Sequence, residues 1–347
     1  MTPPALNEFT PFPDLAYAMG RPQATGRLRV RPEDFMVEED LGFEPEGEGG
    51  HAWLWVEKRG LNTADVALRL GRLAGVKPVA VGYAGLKDRH AVTRQWFSVN
   101  LAGGNEPDWS AAAGDGLTLL RVTRGRRKLQ RGALKGNRFA IVVRDVQGGG
   151  EALQARMERL AVEGVPNYFG EQRFGYDNLA RARAMFAGEF KPRDKHRRGL
   201  YLSAARAALF NEVLSQRVTR GCWDRALAGE VLMLDGSHSI FAIDEVTADI
   251  EQRIRSHDIH PTGPLWGRGE PASRSTARDM EIQALNDCGS WQTGLETAGL
   301  NQQRRSLRLP VRDVVWHFDA GGPLELRFWL PAGAYATAVL REIVVSL

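Results

Sequence analysis

The sequence predicts an α+β protein: a mixed, mainly antiparallel sheet built from both ends of the chain, with a more helical domain inserted between them. Three observations lead there. Strand-like runs crowd the chain up to Val146, joined mostly by connections too short for β-α-β crossovers. The glycine run Gly148 to Gly150 breaks that pattern, and helical spacing dominates from Glu151 onward. A strand-like run then returns at Leu324 to Leu330.

Each element has its own signal. "HAWLWVEKRG" (His51 to Gly60) reads as a strand. A helix follows in "NTADVALRLGRLAGV", with Thr63 as N-cap, Val66, Leu70 and Leu73 at helical spacing, and Gly75 to close it. "VAVGY" (Val79 to Tyr83) and "VTRQWFSVNL" (Val92 to Leu101) are strands on either side of "AGLKDRH". "LTLLRVT" (Leu117 to Thr123) and "FAIVVRDV" (Phe139 to Val146) are two more, with basic chain between them. "EALQARMERLAVEG" and "YLSAARAALFNEVLSQRV" are helices. After "LELRFWL", the turn "PAG" leads into a closing helix over "AYATAVLREIV". The expected division is a sheet domain of 1–163 plus 309–347, and an insert of 164–308.

Composition narrows the function classes. The 347 residues are 43% hydrophobic and 25% charged, ordinary for a globular chain. No run approaches the roughly 18 apolar residues of a membrane helix. The start, "MTPPALNEFTPFPDL", has no basic-then-apolar secretory pattern. The two cysteines, Cys222 and Cys288, form no CxxC pair, and no His/Cys cluster has zinc-ligand spacing. The expectation is a cytoplasmic protein without a metal or other cofactor. The net charge of +4 is modest, but it is segregated. Acidic residues crowd Glu33 to Glu48. "RVTRGRRKLQRGALKGNR" (Arg121 to Arg138) holds cations and no acid, and "KPRDKHRR" (Lys191 to Arg198) is a second basic patch. Such segregation points to a polyanion, and with Trp and Phe nearby, to nucleic acid.

Phosphate-loop patterns do not survive inspection. "GDGLTL" at Gly114 lacks a third glycine, and "GRGEPA" at Gly267 follows no strand and has Pro271 where a helix should open. The crowding of Lys87, Asp88, Arg89 and His90 on a short loop between strands exceeds what a turn needs.

"AGLKDRHAVTRQW" resembles the G-x-K-D-x-x-A-x-T-x-Q signature of the TruD family of tRNA pseudouridine synthases. "RPEDFMVEEDLGFEPEGEGGH", "RKLQRGALKGNRF", "GVPNYFGEQRFG", "LSAARAALFNEVL" and "LRFWLPAGAYATAVLRE" are also similar to family segments, in the family's order. Only Asp244 to Leu300 matches weakly. The resemblance implies a catalytic domain with the pseudouridine-synthase sheet and a TruD-specific inserted domain. It implies isomerisation of uridine 13 in the D-arm of tRNA, of the tRNA-Glu type, by a monomer with no cofactor.

By the same resemblance Asp88 is the catalytic carboxylate. A carboxylate can form a covalent adduct at the sugar or the base as the glycosidic bond breaks. An ionised aspartate calls for a basic partner, and Lys87, Arg89 and Arg29 are the candidates. The family commonly has Lys where this chain has Arg29. Phe35, Phe139 and Tyr335 match residues that receive the extruded base by stacking; the family usually has Phe at the last position. Asn137 matches a substrate-contacting amide, which offers donor and acceptor to the uracil edge. Arg126, Arg127, Lys128, Arg131 and Lys135 are expected to grip RNA phosphates. Two other readings compete. A base-exchanging transglycosylase would want a second carboxylate and often a zinc site. A non-catalytic RNA-binding or RNA-folding protein on the same scaffold would tolerate loss of Asp88.

Overall fold

In this computed structural model, residues 15–101, 103–319 and 321–347 are described. The segment 1–14, which carries most of the stretch examined for a secretory signal, lies outside them. Two compact units emerge. One comprises Gln23–Met157, Val311–Gly333 and Val344–Leu347. The other comprises Glu158–Pro310, Ala334–Ile343 and the described part of Met1–Pro22.

The first unit opens with β1 (Thr25–Arg27), β2 (Phe35–Asp40) and β3 (His51–Arg59). Helix α1 (Thr63–Leu73) follows. Its N-cap is Asn62, not Thr63 as the sequence suggested. Thr63 begins the helix, and its hydroxyl is engaged elsewhere, with Gln95 and the backbone of Lys87. Next come β4 (Val81–Tyr83) and β5 (Val92–Asn100). The strand expected from Val79 starts two residues later, because Pro78 opens a 3₁₀ turn over Pro78–Ala80. β6 (Leu117–Gly125) and β7 (Gly136–Gln147) complete this stretch. β7 begins before the expected Phe139, so Asn137 is a strand residue. Helix α2 (Gly150–Glu163) then leads out.

The second unit begins with β8 (Val165–Pro166), α3 (Asn178–Phe186) and the long α4 (Lys195–Thr219). Asp194 caps α4 by accepting from the His196 N–H at 2.8 Å. β9 (Val231–Leu234), β10 (Ile240–Ala242), α5 (Ala248–Arg255) and β11 (Ile259–Leu265) follow. Then come α6 (Ser275–Ala284), α7 (Gly289–Thr297), β12 (Gln303–Ser306) and β13 (Arg308–Leu309). One face of α4 packs Phe210, Leu214 and Val218 with Tyr168, Phe169 and Trp223. Another packs Leu202, Leu209 and Val213 with Trp291 and Leu295. A stretch read as mainly helical thus also carries a four-stranded sheet, ordered β10-β9-β11-β12. Its strands are short, and Pro261, Gly263 and Pro264 in β11 disguise it.

The chain returns to the first unit with β14 (Arg312–Phe318) and β15 (Leu324–Pro331). The closing helix is the short α8 (Ala336–Leu340), in the second unit, and the chain ends on β16 (Val345–Ser346), which the sequence reading missed. The ten-stranded sheet of the first unit runs β14-β15-β7-β2-β5-β3-β6, with β4 on β5 and with β1 between β7 and β16. It is mixed and mainly antiparallel. Among the described residues β2 pairs parallel with β5, and β1 with β16. The β2–β5 pair is possible because β3, α1 and β4 supply the crossover.

The pleat decides what this sheet offers. Leu54, Val56 and Lys58 lie opposite Phe97, Gln95 and Thr93, all essentially fully buried. Leu54, Val56 and Phe97 pack under Val66, Ala67 and Leu70 of α1. One strand repeat further along that face, apolar side chains give way to Lys58, Thr93 and Gln95. That polar end of a buried face lies beneath the loop 84–91. The described residues hold no helix long and apolar enough to cross a membrane.

Candidate active site

The loop 84–91 joins β4 to β5 and is tied down by buried polar groups. Lys58, with no exposed surface, donates from Nζ to the carbonyls of Asp88 at 2.8 Å, Leu61 at 2.8 Å and Lys87 at 3.4 Å. Burial pushes the Lys58 ammonium down to about 8, against the attraction of Asp88 and with the repulsion of Lys87. Thr63 donates its hydroxyl proton to Gln95 Oε1 at 3.0 Å and accepts from the Lys87 N–H at 3.0 Å. Gln95 in turn donates to the Gly85 carbonyl at 3.2 Å. Lys87 Nζ lies 3.0 Å from Glu39 Oε1, a buried pair whose second oxygen accepts from the Trp96 N–H at 3.0 Å. Main chain and side chains of the loop are thus fixed from β2, β3, α1 and β5.

Asp88 stands out from this framework with its side chain about one third exposed, and Arg29 Nη2 meets its Oδ2 at 3.1 Å. Of the three candidate cations, the structure places Arg29 on the carboxylate. Lys87 turns to Glu39, and Arg89 donates to the Gly60 carbonyl at 3.2 Å. The Arg29 guanidinium also lies 4.2 Å over the Phe35 ring. Arg29 holds a left-handed backbone, φ 56°, uncommon for a non-glycine residue. The turn that follows is firmly held. Asp34, almost wholly buried, accepts from the Arg31 N–H at 2.9 Å and is gripped by Arg144, with Nη2 to Oδ1 at 2.6 Å. Arg144 is the main reason that the Asp34 carboxyl sits below its ordinary range, against the opposing effect of burial.

Phe35 meets Phe139 edge-on at 6.2 Å, and Phe139 stacks on Phe328 at 5.3 Å. Both Phe35 and Phe139 are buried, so they form the wall of this region rather than free platforms. Asn137 lies opposite Glu39 in the β2–β7 register. Its Oδ1 is buried and has no hydrogen-bond partner among the described residues. A buried acceptor without a donor calls for an explanation such as a ligand. Gly136 lets β7 pass close to β15; a side chain there would run into the Trp329 indole and the Leu330 carbonyl. Tyr335 belongs to the other unit. There its hydroxyl accepts from Arg173 Nε at 3.0 Å, and its ring meets Phe169 edge-on at 6.1 Å.

The basic segment is less open than the sequence suggested. Arg126 pairs with Glu48, Lys128 donates to the Val79 carbonyl at 2.5 Å, and Arg131 donates to the Tyr83 hydroxyl at 2.6 Å. Flanking cations are paired too: Arg121 with Glu44 at 3.1 Å, Arg124 with Glu106 at 2.6 Å and Arg138 with Asp40 at 3.4 Å. The side chains of Arg127 and Lys135 make no hydrogen bond or ion pair among the described residues. The acidic stretch from Glu33 to Glu48 thus meets Arg121, Arg126 and Arg138 of the basic one.

Sequence reasoning did not single out Lys58, Thr63 as a loop anchor, Gln95 or Glu39. The signal for Lys58 was there: in "WLWVEK" it falls in phase with Leu54 and Val56, so the pleat must turn it inward.

Comparison with known proteins identifies the family. The family model for tRNA pseudouridine synthase D (TruD) matches residues 14–191 and 177–343. The chain is 52% identical to a tRNA pseudouridine synthase D of Methylococcus capsulatus over 335 residues, covering 96% of this chain and 95% of the relative. It is also 52% identical to one of Nitrosococcus oceani, covering 95% and 93%. Its fold is similar to a crystal structure of a TruD protein from Methanosarcina mazei, with TM-score 0.72 at 20% identity over 95% of both chains. With the family signature on the loop 84–91 and the match running through the length of the chain, the protein belongs to the TruD family of tRNA pseudouridine synthases.

Proposed function

We propose that this chain converts uridine 13 in the D-arm of tRNA, of the tRNA-Glu type, to pseudouridine, with Asp88 as the nucleophile and no cofactor. Family membership supports tRNA pseudouridylation. The observation that carries the choice of residue is the Asp88 carboxylate, held by Arg29 at 3.1 Å on a loop anchored from four elements. In this reading the sheet unit is the catalytic domain, and the chain works as a cytoplasmic monomer on tRNA.

The chemistry is an internal rearrangement. The C1′–N1 bond breaks, the uracil turns, and C1′ bonds to C5; C5 loses a proton and N1 ends with one. Asp88 can attack C1′, with a variant through a glycal in which the C2′ proton leaves, or attack C6 of the ring. On either route it also serves as the base that moves the carbon-bound proton. Arg29 orients the carboxylate. Asn137 Oδ1 is the acceptor available to an imide N–H of the uracil edge. Extruding the stacked base costs a few kcal/mol. Phe35 and Phe139, as a buried wall, are the aromatic groups of this unit assigned to receive it.

The test uses an unmodified tRNA transcript carrying U13, incubated with protein alone and mapped by carbodiimide labelling and primer extension. A new stop at position 13 with wild type and none with Asp88→Asn is expected. RNA bound without any stop would favour the non-catalytic RNA-binding reading instead.

A further inference from the structure

The second basic patch differs from the first in what its side chains touch. In the run from Arg121 to Arg138 most cations are taken up by carboxylates, carbonyls or a phenol within the same unit. In the other unit Arg183, Lys191 and Arg193 are exposed, and none of their side chains makes a hydrogen bond or ion pair among the described residues. Arg183, Lys191 and Arg198 line a groove of about 890 Å³, against one lining acid, Glu189. The groove runs between the end of α3, the chain 187–192 and the length of α7, with Arg198 of α4 beside them. Its floor is apolar: Phe186 meets Trp291 edge-on at 5.9 Å, and Phe190 meets Tyr201 at 6.0 Å. Gly294 on α7 makes room for the Phe186 ring, which a side chain there would strike. Thr293 and Ser290 add hydroxyls to the wall.

We propose that this groove grips the phosphate backbone of the substrate RNA at nucleotides other than the reacting one. The inference rests on the reading of tRNA as substrate and adds where that substrate is held. Cations without carboxylate partners are the ones that can exchange RNA counterions for themselves. An acidic protein would find the same cations, but the apolar floor between hydroxyls and guanidinium groups suits the alternation of sugar faces and phosphates along an RNA strand.

The experiment measures tRNA binding against NaCl concentration for full-length wild type, Arg183→Ala/Lys191→Ala, Lys191→Arg and Arg126→Ala, with thermal melting to confirm folding. The double variant is expected to bind about tenfold more weakly at low salt, with the log–log salt slope reduced by about 1.5. Turnover at saturating tRNA should be unchanged. Lys191→Arg should keep the wild-type slope, and Arg126→Ala, already neutralised by Glu48, should shift it less than the double variant does. A double variant that melts, binds and responds to salt like a tRNA-modifying wild type overturns the groove assignment and leaves the substrate reading intact. A wild type that neither binds nor modifies tRNA removes both.

Discussion

Lys58 and Asp88 meet through the main chain: the buried ammonium donates at 2.8 Å to the carbonyl of the residue whose carboxylate does the proposed chemistry. Its partners are three carbonyl oxygens, and the charged groups that act on it are Asp88 and Lys87, which pair in turn with Arg29 and Glu39. Lys58→Met should lower kcat by about a hundredfold, the scale on which small misplacements of a reacting group are felt. KM for tRNA should change little. An equal rise in KM would point to a general role in folding instead.

The same lysine sets an alkaline limit. Its folded value of about 8 lies below the ordinary 10.5, so keeping it charged in the interior opposes stability at neutral pH. That opposition is relieved as pH rises between those values, so stability from this group increases while its hold on the loop weakens. Turnover should therefore decline above about pH 8 with no loss of folded protein attributable to Lys58. A rate profile still flat at pH 9 would contradict this.

Arg29→Lys should keep part of the activity, since an ammonium can still reach a carboxylate but cannot spread over the Phe35 ring. Arg29→Met should lose about ten- to a hundredfold in single-turnover rate, if an oriented nucleophile is what the guanidinium supplies. Equal rates for the two variants would show that charge at this position is irrelevant.

Asp34→Ala should destabilise the sheet unit by about 2–3 kcal/mol, because Arg144 and the Arg31 N–H lose a charged acceptor in a buried turn. The Asp34 carboxyl sits below its ordinary value, so its contribution is complete above that value and is lost as pH falls through the lowered one. Urea melts of wild type and variant should converge in strong acid; a constant gap down to that range would assign the loss to packing.

Arg127, like Lys135, keeps its side chain free of hydrogen bonds and ion pairs among the described residues. Arg127→Ala should raise KM and reduce the salt slope by about 0.7–0.9, leaving kcat alone. Unchanged affinity at every salt concentration would remove this arginine from the RNA contacts.

The sequence told a good deal of this in advance, unevenly. The mixed sheet and the loop carrying Asp88 were legible, because alternation in "HAWLWVEKRG" and "VTRQWFSVNL" and charge crowding in "GLKDRH" are local signals. What was not legible depends on pairs far apart in the chain. Glu39 with Lys87, Thr63 with Gln95, and Glu44 and Glu48 with Arg121 and Arg126 arise only when the sheet brings β2, β3, β5 and β6 side by side. The basic run looked like open cation partly because the acids that meet Arg121 and Arg126 lie some eighty residues earlier. The sheet of the second unit stayed hidden for a different reason: prolines and a glycine occupy a strand where propensity forbids them, and pairing on both edges overrides that preference.

The last residues of the chain hold the first strand. Val345 donates to the Ala24 carbonyl and Leu347 to that of Gly26, and β1 ends two positions before Arg29. A ribosome releases Asp88 and its loop long before it releases Val345. The arginine's strand therefore lacks one of its two neighbours until residues 345–347 emerge, so a nascent chain would carry Asp88 for a time without its finished setting.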